Sequence, residues 1–186
     1  MNTYNTTNQH PPRGAVVALG YFDGVHLGHR EIIAAAAAEA ARRGVPCAVW
    51  MPDIKKGITP LTTNEEKLSL LADAGAEFAV TSDFDTICGM TGEEFVREVL
   101  SRKLGAVCAV CGFNFRFGKG ASCGEAELTE YCEKYGIDCV VAEPVTLDGE
   151  TVSSSRIRAL ILEGNTEKAS KMLGRPCTDA VQNKTE

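Results

Sequence analysis

The sequence predicts an α/β fold built on an open, mostly parallel sheet with helices on both faces. Three observations carry that expectation. Short, continuously apolar runs alternate with helical stretches at βαβ spacing, as parallel strands covered on both faces should. Glycines stand where helical stretches end, at Gly44, Gly75, Gly105, Gly136 and Gly164, the residue type that best closes a helix. The 186 residues, 44% hydrophobic and 24% charged, suffice for one full-sized domain with its own core.

Residues 1–13 read as a polar, mobile tail ending in Pro11 and Pro12. A domain over residues 14–176 follows, and residues 177–186 form a second polar tail. The first strand is residues 15–19. The alanine-rich stretch 27–43 is the first helix, with high propensity and little bulk to hold it off a sheet. Strand two, residues 45–50, is stopped by Pro52, and 53–60 is a loop. Helix two, 65–73, is announced by Thr62 or Thr63 with Glu65 or Glu66 three residues on, the spacing of a capping box. Strand three is 77–81, 82–90 is a loop, and Thr91 with Glu94 caps a helix over 93–103 in the same way. Strand four is 106–111, a glycine- and aromatic-rich loop covers 112–124, helix four is 125–135 and strand five 137–142. A turn at 147–149 suggests a small hairpin joining 143–146 to 151–152. Ser153 or Ser154 caps a helix reaching Leu162, and a last helix spans 167–173.

Composition removes several classes of function. A net charge of −6 and a pI near 5.2 disfavour a nucleic-acid or anionic-membrane surface. No apolar run is long enough to span a bilayer, and residues 1–14 carry neither an apolar export signal nor an arginine-rich transit helix. A cytoplasmic location is expected. Most of the eight cysteines lie inside strand or helix runs, as reduced, small hydrophobes do. Cys108 and Cys111 lie three apart along a strand and so point to opposite faces, which argues against a zinc or redox pair.

In doubly wound sheets, ligands sit beyond the carboxyl ends of the strands, so the loops 20–29, 50–60, 82–90, 112–124 and 143–156 should face one crevice. The first of these, GYFDGVHLGH, passes from an apolar strand through glycines into a helix, an arrangement suited to anions. It is neither the dinucleotide fingerprint nor a phosphate loop ending in Gly-Lys-Ser/Thr. His26 and His29 stand at the opening turn of the helix, where both can point toward a phosphate. In the fourth loop Asn114 supplies donor and acceptor, Arg116 and Lys119 supply charge, and the alternating Phe113, Phe115 and Phe117 can wall a flat ring. In the fifth, Ser154, Ser155 and Arg156 open a helix, where hydroxyls, free amides and a guanidinium suit phosphate. Arg158 reads either as a surface charge or as a partner in that group.

These motifs together carry a resemblance. The loop from Gly20 to His29 resembles the HxGH signature of nucleotidylyltransferases. With LTTNEEK, TGEEFV, GFNFRFGKG, VSSSRIR and LGRP in the same order, the chain resembles the adenylyltransferase module of prokaryotic bifunctional riboflavin kinase/FAD synthetases, from about Val16 to Pro176. The resemblance implies a Rossmann-like nucleotidylyltransferase fold and magnesium-dependent transfer of AMP from ATP to FMN, giving FAD and pyrophosphate. It implies that His26 and His29 engage the ATP phosphates, with Asn114, Ser154, Ser155 and Arg156 beside them. Gly20, Tyr21, Phe22, Asp23, Gly28, Trp50, Phe113, Phe115, Arg116 and Lys119 would shape the nucleotide and flavin sites.

Two departures stand out. Where the family reads F-x-PHP after its second strand, this chain has Trp50-Met51-Pro52-Asp53-Ile54, so a carboxylate replaces an imidazole. Asp53 is then a magnesium ligand, a mark of a repurposed site, or a plain loop aspartate. The riboflavin kinase domain that normally follows LGRP has no room in residues 177–186, so a separate riboflavin kinase is the expected source of FMN. Transfer to another small phosphorylated acceptor, or a non-catalytic flavin- or nucleotide-binding remnant, are the alternative readings.

Overall fold

Five apolar runs and one polar one become the strands of a single sheet. The structure, a computed structural model, describes residues 1–53 and 59–177; Ile54 and the C-terminal tail from residue 178 lie outside them. The sheet strands are β1 (Asn2–Asn5), β2 (Val16–Leu19), β3 (Cys47–Asp53), β4 (Phe78–Asp83), β5 (Cys108–Gly112) and β6 (Asp138–Ala142). They lie in the order β1-β4-β3-β2-β5-β6, and every pair is parallel. The predicted α/β architecture is therefore the one observed.

Alternation along the strands divides the core into two layers. Val16 and Ala18 face the layer that holds Ile33, Ala36 and Ala40 of α1 (Leu27–Arg43) and Leu71 of α2 (Asn64–Asp73). Val17 and Leu19 face the layer of Phe95, Val96, Leu100, Leu128 and Cys132. These last come from α4 (Gly92–Phe95), which continues as a π-helical stretch over Val96–Lys103, and from α5 (Glu125–Lys134). Cys108 lies in one layer and Cys111 in the other, opposite faces as the spacing required. Both caps read from the sequence form. Thr63 accepts from the Glu66 amide at 3.1 Å, and Thr91 and Glu94 bond reciprocally at 2.8 and 3.2 Å.

Three boundaries differ from expectation. The stretch read as a mobile tail contains β1, which pairs with β4 from Asn2↔Phe78 to Asn5↔Thr81. Tyr4 sets its ring edge-on to Phe78 at 5.8 Å, Thr6 and Ser82 share a hydrogen bond of 2.8 Å, and the Asn5 amide donates to Asp83 at 2.8 Å. An edge strand with one anchored aromatic carries no apolar run, so its composition reads as tail. Next, β3 does not stop at Pro52 but pairs with β4 as far as Asp53↔Asp83. Its partner on the other side, β2, ends opposite Trp50, so the amide that proline lacks is not needed there. Finally, the loop after β4 holds a short helix, α3 (Phe84–Ile87).

Beyond β6 come the hairpin β7 (Thr146–Leu147) and β8 (Glu150–Thr151), then α6 (Ser154–Leu162) and α7 (Thr166–Leu173). Val152, Ile157, Leu160, Met172 and Leu173 form a third cluster that takes in Leu61. It buttresses the loop between β2 and α1 from below. Among the described residues no helix is long and apolar enough to cross a membrane.

Candidate active site

The β2–α1 loop is held in a conformation that few sequences tolerate. Phe22 and Val25 both have positive φ, 52° and 41°, unfavourable for any side chain and most of all for a β-branched one. Such strain persists where the surroundings over-determine the backbone, and it collects at functional sites. Gly24, at φ 81°, completes the turn, and a Cβ there would meet Leu61 Cδ1 at 2.9 Å. Gly28 serves close approach: the His26 ring lies 3.3 Å from where its Cβ would stand.

The turn fixes both histidines. His26 is the N-cap of α1, and its Nδ1 accepts from the His29 amide at 3.3 Å. An accepting Nδ1 leaves the proton of the neutral ring on Nε2. The two imidazoles stack at 3.6 Å with 16° between planes, and Phe22 sets its ring edge-on to His29 at 5.3 Å. Burial, and secondarily Arg175, pushes His26 down to about 4. Burial, then His26 and Lys67, holds His29 well below the usual histidine range. Both rings are neutral near pH 7. The Nδ1 of His29 is buried and has no hydrogen-bond partner among the described residues, the kind of unsatisfied group that calls for a ligand.

A stability prediction follows from His26. Between its unfolded value of 6.5 and its folded value of about 4, the unfolded chain takes up a proton that the folded chain does not. Stability therefore falls as pH falls through that window, by roughly 3 kcal/mol in total, and levels off below it. His26→Asn keeps an N-cap acceptor and flattens this slope. Urea midpoints at about pH 7, 5.5 and 4 measure the difference.

The histidines form part of the floor of a crevice of about 670 Å³ at the carboxyl ends of the strands, a volume that suits a small-molecule ligand. Gly20, Tyr21, Phe22 and Gly28 line it from the β2–α1 loop, Trp50 and Pro52 from β3, Asn114, Phe113, Phe115 and Arg116 from the loop after β5, and Ser153, Ser154 and Ser155 from α6. With α3, five regions of the chain contribute to one site. Trp50 is immobilised by donating to Ser82 at 2.9 Å and by its edge contact with Phe95 at 4.8 Å. Phe115 and Phe117 stack at 5.6 Å, while Phe113 is 42% exposed at the mouth. Phe84 and Ile87 of α3 add to the wall. The sequence placed their loop at the crevice without singling them out, because a four-residue helix leaves no periodicity to read.

Four expected site residues stand elsewhere. Asp23 is 2% exposed and is turned away from the crevice, accepting the Leu61 amide at 2.9 Å and pairing with Arg158. It pins the loop to the layer below. Arg156, expected at a phosphate, pairs instead with Glu150 at 2.6 Å and Glu163 at 3.4 Å. Two positions on, the helix has turned by about 200°, and it is Arg158 that faces the loop. Lys119 lies on a short 3-10 turn over Lys119–Ala121, outside the residues lining the crevice. Asp53 is paired across the sheet with Asp83 and is not among the lining residues either. Among the described residues no group of three His, Cys, Asp or Glu side chains is placed to hold a metal.

The loop is strapped from two further directions. Ser154 donates its hydroxyl to the Asp23 carbonyl at 2.9 Å, and Arg175 donates to the Gly24 carbonyl at 2.7 Å while pairing with Glu66 at 3.5 Å. The N-terminus of α6 is thereby held beside the histidines.

A model of the family described as FAD synthetase matches residues 8–156, from just after β1 through the opening of α6. The chain belongs to the FAD synthetase family. The Escherichia coli K12 protein named bifunctional riboflavin kinase/FMN adenylyltransferase is 29% identical over 91% of this chain and 57% of its own length. A Geobacillus thermodenitrificans relative is 32% identical over 88% of this chain and 91% of its own length. A solved Streptococcus pneumoniae structure described as a macrolide-efflux protein superposes with a TM-score of 0.83 at 27% identity, covering 95% of this chain and 61% of that one. The chain thus spans between half and two thirds of most of the curated bifunctional relatives it matches.

Proposed function

We propose that this FAD synthetase family member transfers the adenylyl group of ATP to FMN, forming FAD and releasing pyrophosphate. A phosphate oxygen of FMN attacks the α-phosphorus, the bond from that phosphorus to the bridging oxygen breaks, and pyrophosphate leaves with the bond electrons. The FMN phosphate is largely dianionic near neutrality, so no general base is required. The protein's task is alignment and stabilisation of developing charge.

One observation carries this reading: two neutral, stacked imidazoles stand beside the N-terminus of α6 on the floor of an aromatic-walled crevice. The N–H groups of His26 and His29 would donate to phosphoryl oxygens, and the amides and hydroxyls of Ser154 and Ser155 would take the rest of the triphosphate. Asn114 and Arg116 would orient the nucleotide, and Trp50, Phe113 and Phe115 the flavin ring. Glu143 is the only carboxylate among the described lining residues. That donor set fits a Mg²⁺ that arrives on the triphosphate with its water shell, where it would neutralise phosphate charge. The substrates would be cytoplasmic ATP and FMN, with FMN supplied by a riboflavin kinase.

Incubation with ATP, FMN and MgCl₂, followed by chromatography for FAD and a pyrophosphate assay, tests the proposal. FAD and pyrophosphate in equal amounts are expected. Pyrophosphate release with another phosphorylated acceptor but not with FMN overturns the choice of acceptor, and binding of both ligands without product overturns the reaction.

A further inference from the structure

Five consecutive carbonyls of the β2–α1 loop each accept a hydrogen bond. Lys67 donates to Tyr21 at 3.4 Å, the Val25 amide to Phe22 at 3.3 Å, the Ser154 hydroxyl to Asp23 at 2.9 Å, Arg175 Nη1 to Gly24 at 2.7 Å and Arg30 Nε to Val25 at 3.4 Å. The Arg175 bond is the shortest of the five, and it alone comes from beyond residue 156, where the match to the family model stops. A guanidinium donating to a carbonyl makes a charge-assisted bond, stronger than one between neutral groups.

Arg175 does not reach the loop by itself. Gly174 closes α7 at φ 69°, a left-handed cap that glycine takes without strain. A Cβ on Gly174 would stand 2.7 Å from Leu27 Cδ2, and Leu27 lies between His26 and Gly28. Leu173 Cδ2 would meet a Cβ on Gly24 at 3.4 Å. Three consecutive residues at the end of the last helix therefore sit against the turn that carries the histidines. The Arg175 side chain is 17% exposed, and Glu66, 3.5 Å away, is 38% exposed. Burial, joined by Arg30 and opposed by Glu66, pulls the proton affinity of Arg175 below the usual arginine range. Removing a guanidinium from water beside a like charge is costly, and stability alone would favour an apolar side chain here.

The cation holds the strained part of the loop. Gly24 and Val25 have φ of 81° and 41° immediately before His26, and such a backbone relaxes unless its surroundings pin it. The Gly24–Val25 peptide is held at both ends, its oxygen by Arg175 and its N–H by the Phe22 carbonyl. We propose that Arg175 is a positioning residue for adenylyl transfer: by fixing this peptide it sets where His26 and His29 stand against the triphosphate. The end of α7 then belongs to the active site. The inference rests on the proposed use of ATP and on no particular acceptor.

Calorimetry with ATP and MgCl₂ tests this without turnover, at a temperature where every variant is folded by circular dichroism. Arg175→Met keeps an aliphatic stem and removes the donor. It should weaken ATP binding by about tenfold or more, since small misplacements of aligning groups are expensive, and leave FMN binding within about twofold. Arg175→Lys keeps a donor and should restore most of the affinity. Met172→Ala, which opens a cavity on the same helix at a residue 0% exposed, should lower the thermal midpoint yet leave ATP binding within about threefold. ATP affinity within about twofold of wild type in Arg175→Met overturns the proposal, as does an Arg175→Lys variant no better than Arg175→Met. Equal weakening of ATP and FMN in Arg175→Met, or an equal loss of ATP binding in Met172→Ala, assigns Arg175 to general stability and overturns it too. Wild-type protein that binds ATP but forms no FAD overturns the proposed reaction alone.

Discussion

His29→Ala should lower kcat/KM for ATP in FAD formation by on the order of 10²–10³, the usual cost of removing one fixed donor to a developing negative charge. The ring is half-buried, with His26 stacked on one side and Phe22 edge-on, so its N–H is aimed by packing before any ligand arrives. Water offers the same hydrogen bond only after reorientation, which is why a pre-aligned neutral imidazole is worth more than its strength in solution. The loss should appear in kcat as well as KM, because the charge on the β- and γ-phosphoryl oxygens grows as the bond to pyrophosphate breaks. His29→Asn, which keeps a donor of shorter reach, should recover part of the rate. His29 does not cap its helix, whereas His26 does, so the alanine variant should still unfold cooperatively. A rate within about threefold of wild type would remove His29 from the reaction path.

How far this site was legible from the sequence depends on what each residue does. The order of strands and helices was legible because parallel strands buried on both faces leave apolar runs, and because Gly44 and the Thr91–Glu94 box mark helix ends by local chemistry. β1 was not, since a single ring, Tyr4 on Phe78, holds an otherwise polar edge. In the site, the strand-loop-helix turn that carries the glycines and histidines was legible because its geometry is local to ten residues, whereas a role for the histidines came from the family resemblance and not from spacing. Arg156 and Arg158 could not be told apart. Both open the same helix, and which one turns toward the loop is set by Glu150 and Asp23, six residues before one and 135 before the other.

The second large effect belongs to the long-range pair that escaped the sequence. Asp23→Ala should destabilise the protein by about 3–5 kcal/mol, the cost of leaving one member of a buried ion pair without its partner. Asp23 is 2% exposed, but the Arg158 side chain is 27% exposed, and water reaching the guanidinium draws the expected value toward the lower end of that range. The carboxylate also accepts the Leu61 amide, which would be left unsatisfied in the core. For a domain of this size the change lowers the thermal midpoint by roughly 10 °C. Asp23→Asn retains an acceptor for Leu61 while losing the charge, so it should cost distinctly less, and urea unfolding of the two variants separates hydrogen bond from ion pair. Because the same loop carries His26 and His29 and is tied to α6 through Ser154, hydrogen exchange in Asp23→Ala should rise first in the loop and in α6 and α7, not in β2 or β5. Uniform loosening of the whole sheet would mean that Asp23 is part of the general core, and equal stability of wild type and variant would mean that the pair holds nothing. If the local pattern is found, affinity for ATP falls along with stability, since the two histidines and the helix end that face the triphosphate are held in one frame by this carboxylate.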